Sequence, residues 1–214
     1  MKKVIAPIIT AILVFSCCAG ASAEILFGVS AETGHSDFSA DYRDADRADV
    51  SKSPAPLILN GEINLLMTRI FAEYSRANLD HSSFSGFGLR TGWEIGPQIL
   101  KARLSAGYQG YTLNDQNLAV NRNNTFRSLV AGIGVESKIA GITISGETLL
   151  PLFTEFSNGS HTDNGADLDY LRIGVAYSFL PTVDLFVNYR EMGTKSDVVT
   201  LDSSGYSAGV KFSF

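Results

Sequence analysis

The feature that most constrains this 214-residue chain is a period-two alternation of apolar and polar side chains that returns ten times. That spacing sends successive side chains to opposite faces of a β-strand. Ile25, Phe27, Val29 and Ala31 oppose Gly28, Ser30 and Glu32, and Leu57, Leu59, Ile63 and Leu65 oppose Asn60, Glu62 and Asn64. Ile70, Ala72 and Tyr74 oppose Glu73 and Ser75, and Phe87, Leu89, Thr91, Trp93 and Ile95 oppose Gly86, Gly88, Arg90, Gly92 and Glu94. Leu100, Ala102, Leu104, Ala106 and Tyr108 face away from Lys101, Arg103, Ser105, Gly107 and Gln109. Leu129, Ala131, Ile133 and Val135 do so from Gly132, Gly134, Glu136 and Lys138, and Ile142, Ile144, Thr148 and Leu150 from Thr143, Ser145 and Glu147. The last three segments set Leu171 to Phe179 against Arg172, Gly174, Ala176 and Ser178, then Val183 to Tyr189 against Asn188 and Arg190 with Phe186 as a bulky exception, then Tyr206 to Phe214 against Ser207, Gly209, Lys211 and Ser213.

The connections alternate between two kinds. Short ones fall at Met67, Gly96-Pro97, Ala140-Gly141 and Leu180 to Thr182; longer polar ones fall at Gly34 to Pro56, Asn114 to Asn124, Thr154 to Asp167 and Gly193 to Ser203, with Asp80 to Ser83 a shorter member. An up-and-down meander with an even strand count produces this asymmetry. The expected fold is all-β: an antiparallel barrel of about ten strands, with eight as the alternative because no Gly or Pro marks the turn between Leu57 and Leu79.

A soluble barrel hides its apolar face and shows water the polar one. Here the apolar faces carry aromatics toward their ends (Trp93, Tyr108, Tyr177, Phe179, Tyr189, Tyr206, Phe214), whereas glycines and charges share the other face. Aromatics at strand ends suit the two bilayer interfaces, and about ten tilted residues cover an apolar band of roughly 25 Å. Closure leaves no unpaired backbone edge in hydrocarbon, where each unsatisfied group costs several kcal/mol. The pattern therefore predicts a transmembrane barrel with its apolar face outward. The competing fold, a secreted lipocalin-like barrel, would need an apolar interior where this sequence places mid-strand charges.

The first 23 residues read as an export signal: Lys2 and Lys3, an apolar stretch from Val4 to Ala19, and a small-residue exit at Ala21-Ser22-Ala23. Cleavage is expected after Ala23, leaving residues 24–214 as the barrel. Pro7 within the apolar stretch argues against a retained anchor, and Phe15, two residues before Cys17, argues against a lipoprotein signal. Cys17 and Cys18 are the only cysteines, so the exported chain is expected to contain no disulfide and no thiolate site. Losing Lys2 and Lys3 takes the 17 basic residues to 15 against 22 acidic ones, a balance unsuited to nucleic acid.

The final eight residues, Ser207-Ala208-Gly209-Val210-Lys211-Phe212-Ser213-Phe214, resemble the terminal signal of bacterial outer-membrane barrels, with Gly209, Phe212 and Phe214 at its marked positions. The resemblance implies recognition of the last strand by the barrel assembly machinery, passage with periplasmic chaperones, and residence in the bacterial outer membrane against lipid and lipopolysaccharide. The chain from Glu24 to Phe214 is most similar to small OmpA-domain and OmpX-like barrels, which have eight strands.

With the apolar faces toward lipid, the lumen receives Glu32, Glu62, Glu73, Glu94, Glu136 and Glu147 with Arg90, Lys101, Arg103, Lys138, Arg172, Arg190 and Lys211. Unpaired charges away from bulk water are costly, so mixed signs are expected to pair, Arg90 with Glu94 for example. A selective pore favours rings of one sign. The expectation is a narrow, salt-bridged lumen whose loops carry structural, surface-binding or adhesion roles; the alternative is a small-solute or ion channel, and the third reading is a barrel enzyme acting on lipid A or peptides. His35, His81 and His161 are expected in solvated extracellular loops. Phe156-Ser157-Asn158 slightly resembles the catalytic segment of lipid A deacylases, but Glu155 stands where that family has a histidine. Asp37, Asp41, Asp44, Asp46 and Asp49 suggest divalent cations, yet Arg43, Arg47 and Lys52 interleave them, so a solvated charged loop is expected. No catalytic, cofactor or metal site is expected.

Overall fold

The computed structural model describes residues 25–43, 50–65, 67–79, 82–97, 99–115 and 122–214. The export segment, Asp44, Asp46, Asp49 and His81 lie outside them.

Ten long strands form the molecule: β1 (Ile25–Tyr42), β2 (Leu57–Leu65), β3 (Thr68–Leu79), β4 (Ser82–Ile95), β5 (Leu100–Asp115), β6 (Arg122–Ile139), β7 (Ile142–Ser157), β8 (Asp167–Leu180), β9 (Val183–Lys195) and β10 (Val199–Ser213). Each pairs antiparallel with its chain neighbour, β7 pairs with β8 from Ile142↔Tyr177 to Leu149↔Tyr170, and β10 returns to β1 from Gly28↔Ser213 to Tyr42↔Val199. The sheet is closed and has ten long strands, so the count of eight is set aside. The Met67 turn is real, although neither Gly nor Pro marks it. At the other short turns, Ala140 and Gly141 both take positive φ, 50° and 81°, as a two-residue hairpin joining right-twisted strands requires.

The strands run longer than the alternation suggests. β1 and β6 have 18 residues each, and β5 and β7 have 16. Much of the expected Gly34 to Pro56 loop is strand: His35, Asp37 and Asp41 sit on β1, not in a loop, and a short strand Val50–Lys52 folds back onto Phe38–Ala40.

The added length inverts the pattern. In the half near the short turns, Leu104, Ile133, Ile144, Val175 and Val187 are exposed on the outer wall. In the far half, Phe38, Ala40, Leu113, Phe126, Phe156, Leu168, Val199 and Leu201 are buried inside the barrel as one apolar cluster. Their outward neighbours include Asp37, Asp41, Asp169 and Asp202. One barrel thus obeys two rules: apolar outward where the surroundings are hydrocarbon, and apolar inward where they are water. Trp93, Tyr177, Phe179 and Phe214 stand exposed toward the short turns, and Tyr206 toward the other side with Tyr189 packed on it at 5.1 Å.

Candidate functional site

Among the described residues the strands bring chemistry-bearing side chains together in number in the lumen, where inward glycines provide the room, and in a groove of about 310 Å³ in the far half that Asp37, Asp169, Glu191 and Asp202 line. A Cβ on Gly209 would strike the Ala31 carbonyl, the Glu32 side chain and the Phe186 ring, so only glycine lets β10 close on β1 there. Phe186, the exception to the alternation on β9, is an inward side chain beside that glycine.

The lumen charges fall into three groups. Nearest the short turns, Glu62 pairs with Arg69 and Lys211. Arg69 also reaches Glu94 at 3.4 Å and Glu136 at 3.8 Å, while Glu94 takes Lys101 at 3.0 Å and Arg103 at 2.7 Å, and Arg103 reaches Glu136 at 3.3 Å. Lys138 is exposed at the rim of the polar cavity that opens there, about 200 Å³ in volume. A second group sets Glu147 between Arg90 at 3.5 Å and Arg172 at 3.2 Å, with both guanidinium groups against the Phe71 ring at 4.9 and 5.3 Å. In the third, Arg190 bridges Glu32 and Glu73. Glu32 also accepts from Ser207 at 2.6 Å, Asn188 at 2.9 Å and Asn60 at 3.0 Å.

Twelve of the thirteen lumen charges named from the sequence thus join in ion pairs, and the thirteenth, Lys138, lines the same cavity. The pairing is not the expected one: Arg90 and Glu94 lie one above the other on β4, and each finds its partners on other strands. Arg69 was missed although it links three of the glutamates. Its phase with Glu73 and Ser75 was the available signal, hidden because Phe71 breaks the polar run between them. With Arg69 and with Asp184, which also lines the cavity, eight bases face seven acids.

Above the charges lies the apolar cluster, which the apolar-outward alternation does not place in the lumen. Phe126 and Phe156 pack at 4.9 Å, and Phe84 bridges Phe38 at 5.2 Å and Tyr111 at 5.7 Å. Leu113, Ala40, Val199 and Leu201 have no exposed surface.

Beyond the apolar cluster the loops are tied together. His161 is not simply solvated: its Nε2 lies 2.9 Å from Asp197 Oδ2. Asp163 accepts the backbone N–H of Gly165 at 2.7 Å and that of Asp197 at 3.2 Å, and these bonds hold its carboxyl below the ordinary aspartate range. The segment after β7 is thereby pinned to the one after β9. His35 is exposed on β1, 3.6 Å from Asp37. Glu155 faces Arg127 at 3.6 Å, Phe156 points into the core, and Asn158, just past the end of β7, accepts the backbone N–H groups of Ser160 at 3.2 Å and His161 at 2.9 Å, so the deacylase-like segment is a strand end and its turn. Among the described residues no cluster of three or more His, Cys, Asp or Glu side chains has the geometry to hold a metal ion.

No protein-family model and no curated protein matches the sequence. Solved structures do match. The outer membrane protease OmpT from Escherichia coli aligns with 90% of this chain and 98% of its own at 11% identity and a TM-score of 0.54. Neisserial surface protein A aligns with 88% of this chain and 97% of its own at 16% identity and a TM-score of 0.48. Closure, strand count, outward apolar belt and the likeness to the OmpT structure agree that the chain has the fold of the bacterial outer-membrane β-barrels.

Proposed function

We propose that this chain is an integral protein of the bacterial outer membrane that works as a closed, non-conducting barrel and presents its tied loops at the cell surface for structural, binding or adhesion roles. The observation that carries the reading is the double closure of the lumen: a mesh of ion pairs in the membrane half, and above it an apolar core that excludes water. Ions crossing the second layer would shed their hydration with nothing to replace it.

Lipid and lipopolysaccharide surround the apolar belt. Gly209, Phe212 and Phe214 on the closing strand serve as the signal read by the assembly machinery after chaperoned passage through the periplasm. Residues 1–23 direct export, with cleavage after Ala23.

The test is single-channel conductance of the mature chain refolded into a planar bilayer, with heat-modifiable gel migration as proof that the barrel formed. Silence from folded barrel is the expected result. Steady, salt-dependent openings overturn the reading and make the chain a pore.

A further inference from the structure

Among the described residues the ladder around the barrel breaks above Leu149↔Tyr170 between β7 and β8, and again beside β1 between Lys52 and Leu57. β2 pairs with β1 from Ile25↔Leu65 to Thr33↔Leu57, and the short strand Val50–Lys52 pairs with β1 in the same continuing register, Phe38↔Lys52 to Ala40↔Val50. Between them lies Ser53-Pro54-Ala55-Pro56, outside any strand. Two prolines remove two backbone donors from what would otherwise be one strand, and a single backbone bond to β1, Ser36 N–H to Pro54 O at 3.1 Å, bridges the break. On the other side, Ala77, Asn78 and Leu79 of β3 pair with β4 but have no described ladder partner toward β2.

A cavity of about 80 Å³ lies behind this break. Its lining includes outward residues of the wall, His35, Arg76 and Tyr206, together with inward ones, so it passes through the sheet. Phe38, Ile58, Ala77, Phe84 and Met192 make its inner walls apolar. Its inner end is polar: Tyr170 is 5% exposed and its hydroxyl has no hydrogen-bond partner, and Nε and Nη1 of Arg190 are likewise without one. The volume exceeds several-fold what one water needs, but most of the lining offers water no partner. The outer mouth sits beside Tyr206 at the aromatic belt, where amphiphiles concentrate at a membrane surface.

We propose that the Ser53–Pro56 break is a lateral port and that the cavity behind it binds a small uncharged amphiphile, polar end inward. The apolar walls take a short alkyl body. The Tyr170 hydroxyl and the open Arg190 donors take an acceptor oxygen, an alcohol or a carbonyl. A free carboxylate is disfavoured, because Glu32 and Glu73 already flank Arg190. A full lipid chain exceeds the volume, and even a six-carbon alcohol seated by its hydroxyl leaves its methyl end in the outer mouth. The route is sideways and does not cross the ion-pair layer, so the inference stands or falls apart from the conductance result.

The two methionines of the mature chain provide the test. Met192 lines the cavity, whereas Met67 is 71% exposed at a short turn on the opposite side of the membrane. Mature barrel labelled with ¹³C-methyl methionine is refolded in lipid nanodiscs and titrated with 1-hexanol, hexane and hexanoate. The expected result is a saturable shift of the Met192 methyl with 1-hexanol, no shift at Met67, and little response to hexanoate. Tyr170→Phe, which removes only an unpartnered hydroxyl, should weaken 1-hexanol binding about three- to tenfold. Pro54→Thr with Pro56→Thr restores both donors and should slow exchange of the bound alcohol. Equal drift of both methyls, no saturation at Met192, or indifference to Tyr170→Phe overturns the site; unchanged exchange in the Pro54→Thr, Pro56→Thr variant overturns the port.

Discussion

Glu147 shows what a single lumen residue carries. It is buried, and Arg90 and Arg172 both lean on it from other strands. Removing one partner of a buried ion pair leaves charge without compensation and costs about 3–5 kcal/mol, whereas replacing every member by apolar groups of similar volume is often neutral. Glu147→Leu is therefore expected to lower stability by about that amount in urea unfolding, and a variant that also carries Arg90→Met and Arg172→Met should recover most of the loss. A second residue-scale prediction concerns Asp163. Its carboxyl lies below its unfolded value because two backbone N–H groups hold the ionised form. Its contribution is thus fully present above the unfolded value near 3.8 and disappears as pH falls through the folded one. The amide resonance of Gly165 should move as pH falls below about 4; Asp163→Ala should abolish that step.

At the scale of the strand, the reach of each element depends on the medium outside it. Phe38, Ala40 and Tyr42 alternate with Asp37, Ser39 and Asp41 as regularly as the membrane half of β1 does, but with polarity reversed about the wall. A reading keyed to apolar-outward alternation stops where the reversal begins, which is why the upper part of β1 passed for an acidic loop. The membrane half was legible because hydrocarbon imposes one rule on every outward side chain. Partner choice within the lumen was not, since Arg90 and Glu147 meet only through the curvature and shear of a closed sheet. The upper halves should accordingly behave like the core of a soluble protein. Phe156→Ala, at a fully buried position against Phe126, is expected to cost about 3–5 kcal/mol. The damage should show as faster proteolysis of the segments after β7 and β9, while heat-modifiable migration of the membrane half is retained.

For the whole barrel, the two lumen layers act in series, so their effects on conduction combine as a logical pair rather than a sum. Thinning the ion-pair mesh leaves an apolar core that an ion cannot cross hydrated. Emptying the apolar core leaves a mesh in which Arg69 and Arg103 span the bore between glutamates of different strands. Phe126→Ala with Phe156→Ala should therefore stay silent in a planar bilayer, as should Arg69→Ser with Glu62→Ser, a change that removes a charge of each sign. The four substitutions together are expected to produce stepwise openings, with weak ion selectivity because the remaining lumen charges nearly cancel. The measurement is single-channel recording of all three variants, each first shown to fold by gel migration. Openings from the Phe126→Ala, Phe156→Ala barrel alone would mean that the ion-pair layer is already permeable and that the apolar core is the only seal. Openings from the Arg69→Ser, Glu62→Ser barrel alone would place the seal in the charges instead. A barrel silent in all three forms would require closure by further groups, the Arg90–Glu147–Arg172 cluster around Phe71 being next in line across the bore.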